Sequence, residues 1–205
     1  MPITRHRPFE SDIRRIKLLY MKKIGVILAR FQPIHNGHLE LIKKAAEENE
    51  QVIVFIGSAD KVNTRNPIPC KLRKGLVLEA INKYLPDLAE KVTIYELNDL
   101  TDESDNSHDW GFYLYSKVVS VTQQSNFTIY YSDGYEIITS WFPGFLLRDN
   151  VSLSLLARGA VHGGVSATEV RQAILSYDDK LINMVPKCVF DKQEILRTYI
   201  QAFSN

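Results

Sequence analysis

The chain has 205 residues, 45% of them hydrophobic and 24% charged, with a formal net charge of +1. That length and composition suit one soluble α/β domain with a sizeable core plus a small appendage, and no stretch approaches the roughly 18 apolar residues of a membrane helix. The near-neutral balance argues against nucleic-acid and membrane partners, and two cysteines without metal or redox spacing, Cys70 and Cys188, fit a reducing cytoplasm.

Residues 1–20 differ from the rest, with five Arg or Lys against two acids and none of the apolar centre of a secretory signal. They read as an N-terminal extension, with a basic amphipathic helix near 12–20 or a short arm, and Met21 is an alternative start. Residues 21–205 form the folded domain. Its first strand is the apolar, β-branched run 23–29, which suits a strand buried on both faces of a parallel sheet. A turn over 30–36 follows, and from Gly37 onward Leu39, Leu41, Ile42, Ala45 and Ala46 fall at helical spacing. Further strands are expected at 51–57, 91–97, 127–131 and 151–156, with helices at 72–84, 110–122, 166–176 and 191–203. Such alternation predicts a Rossmann-like, doubly wound parallel sheet with C-terminal helices, and ligands then bind at the carboxyl ends of the strands.

Two of the strand-to-helix turns carry chemistry. In the first, His35 and His38 flank Gly37 at a helix mouth, where free backbone N–H groups and the helix dipole attract phosphate. Gly37 lacks a Cβ and lets an anion approach the backbone, both imidazoles can donate to phosphate oxygens, and Arg30 adds a permanent charge. A zinc site is an alternative reading, but two histidines need a further ligand and no Cys/His cluster supplies one. In the second turn, Ser166 is a good N-cap with Glu169 three residues on, as a capping box requires, and Thr168 and Arg171 reach the same side. A bare capping box is more often structural than functional.

Taken together these residues resemble a known family. The segment ARFQPIHNGH is similar to the GRFQPFHxGH signature of the HxGH nucleotidylyltransferases, departing from it at Ala29 and Ile34, and Ser166, Thr168 and Arg171 match the family's SxTxxR signature. The resemblance implies catalysis by His35, His38 and Arg171. It implies ATP binding by Arg30, Phe31, Gly37, His38, Ser166, Thr168 and Arg171, with Asp133 after the fourth strand a further contact to the nucleotide. Mg²⁺ would be bound mainly through phosphates and water. The segment GSADKVNTRNP followed by Arg73 resembles nicotinamide-nucleotide adenylyltransferases of the archaeal type and the corresponding domain of bifunctional Nudix enzymes. That likeness implies ATP and nicotinamide mononucleotide as substrates, acceptor contacts from Gly57, Ser58, Arg65 and Asn66, and Trp110 stacked on the nicotinamide ring. It also implies a cytoplasmic homo-oligomer. Read from the residues alone, Trp110 is equally a core aromatic, and Arg73 is a helix-surface or loop-fixing charge. Transfer to another phosphate acceptor (phosphopantetheine, FMN or an alcohol phosphate) and a non-catalytic nucleotide sensor remain the alternatives.

Overall fold

The computed structural model describes residues 22–101, 107–157 and 164–203. The N-terminal extension, and the helix expected near 12–20, lie outside the described residues. The elements in chain order are β1 (Ile24–Ala29), α1 (Asn36–Glu48), β2 (Gln51–Ile56), α2 (Cys70–Tyr84), a 3-10 segment (Pro86–Lys91), β3 (Val92–Glu96), α3 (His108–Thr122), β4 (Phe127–Tyr131), α4 (Tyr135–Trp141), α5 (Gly144–Asp149), β5 (Val151–Leu155), α6 (Ala167–Ser176), α7 (Leu181–Met184), α8 (Lys187–Phe190) and α9 (Gln193–Gln201). The strands form one parallel sheet in the order β3-β2-β1-β4-β5. The chain winds outward from β1 through β2 to β3, then returns to the other side of β1 as β4. The strand order therefore reverses between β1 and β4, and a crevice opens there above the carboxyl ends of the strands.

Side chains alternate between the two faces as the pleat requires. Val52, Val54 and Ile56 of β2 join a core with α1, α2, α6 and α9, in which Ile42, Leu76, Val170 and Leu196 are fully or almost fully buried. Ile53 and Phe55 face the opposite way, into a second core with Leu114 and Val118 of α3 and Ile138 and Leu146 of α4 and α5. Close packing of α3 depends on Gly111: a Cβ there would lie 1.8 Å from the carbonyl oxygen of Trp141, so the α4–α5 junction could not approach. Among the described residues no helix is long and apolar enough to cross a membrane.

The expected strands are all present, and the helices differ from expectation at their ends. α2 begins at Cys70, two residues earlier than the apolar pattern indicates, because Pro69 stands at the N-cap and excludes helix before it. α3 begins at His108, capped by the hydroxyl of Ser107, which accepts from the Trp110 N–H at 3.4 Å. The terminal helix shortens to Gln193–Gln201, the strand-to-helix turn at 132–134 leads into α4 as expected though without a predicted extent, and the sequence pattern does not predict α5, α7 or α8. Residues 135–141 are rich in β-branched and aromatic side chains of modest helix propensity, and Pro143 and Pro186 break the periodicity on which such a reading relies.

Candidate active site

The turn after β1 is built from side chains that hold backbone. Gln32 is 2% exposed, and its amide pairs with Ile68 in both directions: Nε2 donates to the Ile68 carbonyl at 3.1 Å, and the Ile68 N–H donates to Oε1 at 3.0 Å. The first turn is thereby fastened to the loop preceding α2. Arg73, from the first turn of α2, is wholly buried rather than on the helix surface, which settles its role as loop-fixing. Its Nη1 donates to the carbonyls of Arg30 at 2.6 Å and Gly57 at 2.8 Å, and its Nη2 to that of Ser58 at 2.9 Å. Phe31 and Ser58 both have left-handed backbone, with φ of +50° and +48°. Neither is glycine, so each conformation costs roughly 1–2 kcal/mol and persists only because the surroundings impose it.

His35 is the N-cap of α1, and its own N–H donates to Nδ1 of His38 at 3.3 Å. With Nδ1 accepting, the proton of a neutral His38 ring belongs on Nε2. The imidazoles stack with centroids 3.7 Å apart, and His38 also leans on Phe31 at 4.8 Å. Gly37 leaves the stack room, since a Cβ at that position would press on the His35 ring at 3.2 Å from Nδ1. Across the crevice, Ser166 caps α6: its hydroxyl accepts from the Glu169 N–H at 3.2 Å, while the Glu169 carboxylate accepts from the Ser166 N–H at 2.8 Å. The expected capping box is therefore present. From one turn along, Arg171 reaches over the crevice and donates through Nη1 to the carbonyl of Gln32 at 3.0 Å and through Nη2 to the Thr168 hydroxyl at 3.3 Å.

The two turns enclose one cleft of about 390 Å³, at the point where the strand order reverses. Arg30, Phe31, Gln32, His35 and His38 line one wall, and Val165, Ser166, Ala167, Thr168 and Arg171 the other, with Ser132 from the end of β4 between them. The cleft is cationic. The Arg30 guanidinium is held below its ordinary value by burial and then by repulsion from Arg65, with Asp99 opposing; Arg171 is held down by burial and then by Arg30. Arginines do not release their protons at neutral pH, so this mutual repulsion favours a polyanion between them. A larger groove of about 780 Å³ lies at the amino ends of the strands, and no residue of either signature lines it.

The remaining expected contacts lie off this wall. Gly57 and Ser58 follow β2, and the Ser58 hydroxyl donates to the Asp99 carboxylate at 3.0 Å. Asn66 is 4% exposed and turned into its own loop, its backbone N–H and side-chain amide both donating to Oδ1 of Asn63, while Arg65 is exposed. Trp110 is 8% exposed, packed on Tyr113 at 5.4 Å and edge-on to Trp141 at 6.2 Å. Asp133 is exposed and accepts from the Gly134 N–H at 2.8 Å, so Ser132 rather than Asp133 faces the cleft. Gln32, Ser132 and Asp99 were not singled out from the sequence. Gln32 stands inside the first signature, but its double pairing with Ile68 joins residues 36 apart and leaves no local trace.

Residues 26–173, which contain both signatures, match the cytidylyltransferase-like family model. The chain belongs to that family. Within this cytidylyltransferase-like family it is 32% identical to the nicotinamide-nucleotide adenylyltransferase of Thermococcus kodakarensis over 149 residues, 70% of this chain and 75% of that one. It is 30% identical to the enzyme of the same name from Thermococcus onnurineus over 175 residues, 82% of this chain and 81% of the relative. The fold of a bifunctional NMN adenylyltransferase/ADP ribose pyrophosphatase from Francisella tularensis is similar, with a TM-score of 0.65 at 23% identity, over 88% of this chain and 50% of that one. The cytidylyltransferase-like chain described here is thus a nucleotidyltransferase with a Rossmann-like parallel sheet.

Proposed function

We propose that this enzyme transfers the adenylyl group of ATP to nicotinamide mononucleotide, giving NAD and pyrophosphate. The observation that carries the reading is the bond from Arg171 to the Gln32 carbonyl, which joins two distant signatures around one cationic cleft. The names of the relatives from Thermococcus supply the acceptor. An oxygen of the acceptor phosphate attacks the α-phosphorus of ATP in line. One P–O bond forms, the bond to the β-phosphate breaks, and pyrophosphate leaves with the electron pair. Both partners are anions and the acceptor is already ionised at neutral pH, so no side chain needs to act as nucleophile or base. The protein's task is positioning and charge stabilisation. His38, through Nε2–H, and Arg171 are assigned to the phosphates in transfer, His35 and Gly37 to shaping the helix mouth, and Arg30, Ser166 and Thr168 to the rest of the triphosphate. The Ser166 hydroxyl, which also donates to the Glu169 carboxylate at 2.6 Å, has to turn to serve it.

Among the described residues no three His, Cys, Asp or Glu side chains converge on a point where a metal ion would sit. The wall of the cleft is guanidinium, imidazole and hydroxyl, a poor donor set for Mg²⁺. This reading therefore gives the ion to the phosphates of the nucleotide and derives no step through it. A similar solved structure, the Francisella tularensis enzyme, is complexed with AMP and a Mn ion.

Pyrophosphate release measured with ATP and a panel of acceptors (nicotinamide mononucleotide, nicotinic acid mononucleotide, phosphopantetheine, FMN and glycerol phosphate) tests the assignment. Release with the pyridine mononucleotides alone is expected, and release with another acceptor alone would overturn it. The stacking role of Trp110 has its own test. Trp110→Ala is expected to raise the KM for nicotinamide mononucleotide about tenfold and that for ATP little, because an aromatic–pyridinium stack contributes on the order of 1–2 kcal/mol. A lower Tm with both KM values unchanged would leave Trp110 a core residue only.

A further inference from the structure

Arg73 is wholly buried, its Nη1 and Nη2 donate to backbone carbonyls of the loops after β1 and β2, and the Asp99 and Glu96 carboxylates act on its charge. Its placement follows a regular pattern. Ala29 and Ile56 are register partners at the ends of β1 and β2. Arg30 and Gly57 come next in each strand, and both give their carbonyl oxygens to the same Nη1. Phe31 and Ser58 follow, and both are left-handed. Among the described residues the only cis peptide is Gln32-Pro33, so the Arg30–Phe31 and Gly57–Ser58 peptides are trans. In a trans peptide the N–H points opposite to the C=O. With both oxygens drawn onto one buried guanidinium, the N–H groups of Phe31 and Ser58 are turned away from it, and Phe31 lines the cleft.

We infer that Arg73 is a positioning residue that fixes these two peptide units so that the Phe31 amide meets the phosphates of the nucleotide and the Ser58 amide meets the acceptor. Arginine suits the task because its planar fork spans two strands and keeps its charge when buried, where the single ammonium of lysine cannot bridge both loops in the same geometry. The inference rests on the adenylyl-transfer reading and adds a group that aligns both substrates while contacting neither.

Arg73→Lys tests it. At equal folded fraction, checked by near-UV circular dichroism and a cooperative melt, kcat is expected to fall about 100-fold, the order of loss that a misplacement near 1 Å produces, and the KM values for ATP and nicotinamide mononucleotide are expected to rise together. In Arg73→Ala, millimolar guanidinium ion is expected to restore part of the turnover, and equimolar sodium chloride none. Wild-type kcat and KM per folded molecule in the lysine variant, even with a lowered Tm, would overturn the inference, as would equal rescue by either salt. A measurement on the wild-type chain guards against variants that fail to fold. The amide NMR signal of Phe31 is expected to shift on adding ATP or inorganic pyrophosphate, and that of Ser58 on adding nicotinamide mononucleotide; unmoved signals at saturation would overturn it. A wild-type chain that makes no NAD would defeat the transfer reading, while the response of Phe31 to pyrophosphate still judges the clamp.

Discussion

His38→Ala is expected to lower kcat about a thousandfold, the upper range for deleting one hydrogen-bond donor aimed at developing charge, while the chain stays folded. The geometry makes the loss specific. Nδ1 of His38 is committed to the His35 N–H at 3.3 Å, which leaves the Nε2–H as the ring's donor, and the stack on His35 and Phe31 holds that donor at the wall of the cleft. Alanine removes the donor and the bond to His35 together, so a modest stability loss of about 1 kcal/mol, or 2–4 °C in Tm for a chain of this size, accompanies it. His38→Asn separates the two effects. Its Oδ1 occupies the place of Nδ1 and can accept from His35, but nothing replaces Nε2. The asparagine variant is expected to melt close to wild type and to be nearly as inactive as alanine. Near-normal turnover in either variant would remove His38 from the chemistry, and turnover that tracked Tm across both would make the residue a cap.

The parts of this site that the sequence discloses are those written in local spacing. A helix mouth with two histidines three residues apart, and a serine with a glutamate three residues on, are patterns confined to one turn of chain, and both take the expected form. The five strands are legible because each is a short apolar run bounded by turn residues, and the parallel, doubly wound character of the sheet follows from alternation with helices, whereas its strand order is seen only in the fold. What the sequence withholds is long-range and polar. Arg73 reads as a surface or loop charge because arginine is seldom wholly buried, and only the fold brings Arg30, Gly57 and Ser58 to within 3 Å of it. Gln32 is one polar residue of the turn over 30–36, and only its pairing with Ile68 shows that it fastens two loops. Trp110 shows the opposite difficulty. Its place before an apolar helical face is equally that of a ligand platform and of a core residue, and its contacts with Tyr113 and Trp141 add weight to the second role without removing the first.

Arg171→Ala is expected to reduce kcat/KM for ATP by about 100- to 1,000-fold, a loss of roughly 3–4 kcal/mol of transition-state stabilisation, felt in kcat as well as in KM. One guanidinium here performs two tasks. Nη1 holds the Gln32 carbonyl and so ties α6 to the turn after β1, and the charge lies close enough to Arg30 for each to resist the other. In the free enzyme that repulsion is a cost, and a triphosphate seated between the two groups converts it into attraction. The energetic signature therefore lies in the liganded state. ATP at a hundredfold excess over its Kd stabilises a protein by about 2.7 kcal/mol, which raises the Tm of a chain this long by roughly 5–11 °C. The wild-type protein is expected to show that shift, and Arg171→Ala to lose most of it at the same ATP concentration. Arg171→Lys restores charge without the fork that reaches Gln32 and Thr168 together, so it is expected to recover part of the thermal shift and little of kcat. A double-mutant cycle with Arg30→Ala sharpens the test: two cations that hold one anion give losses that are not additive, because each removal also relieves the repulsion acting on the other. A wild-type thermal shift with ATP in Arg171→Ala, or additive losses in the cycle, would mean that the two turns meet over the sheet without sharing a ligand.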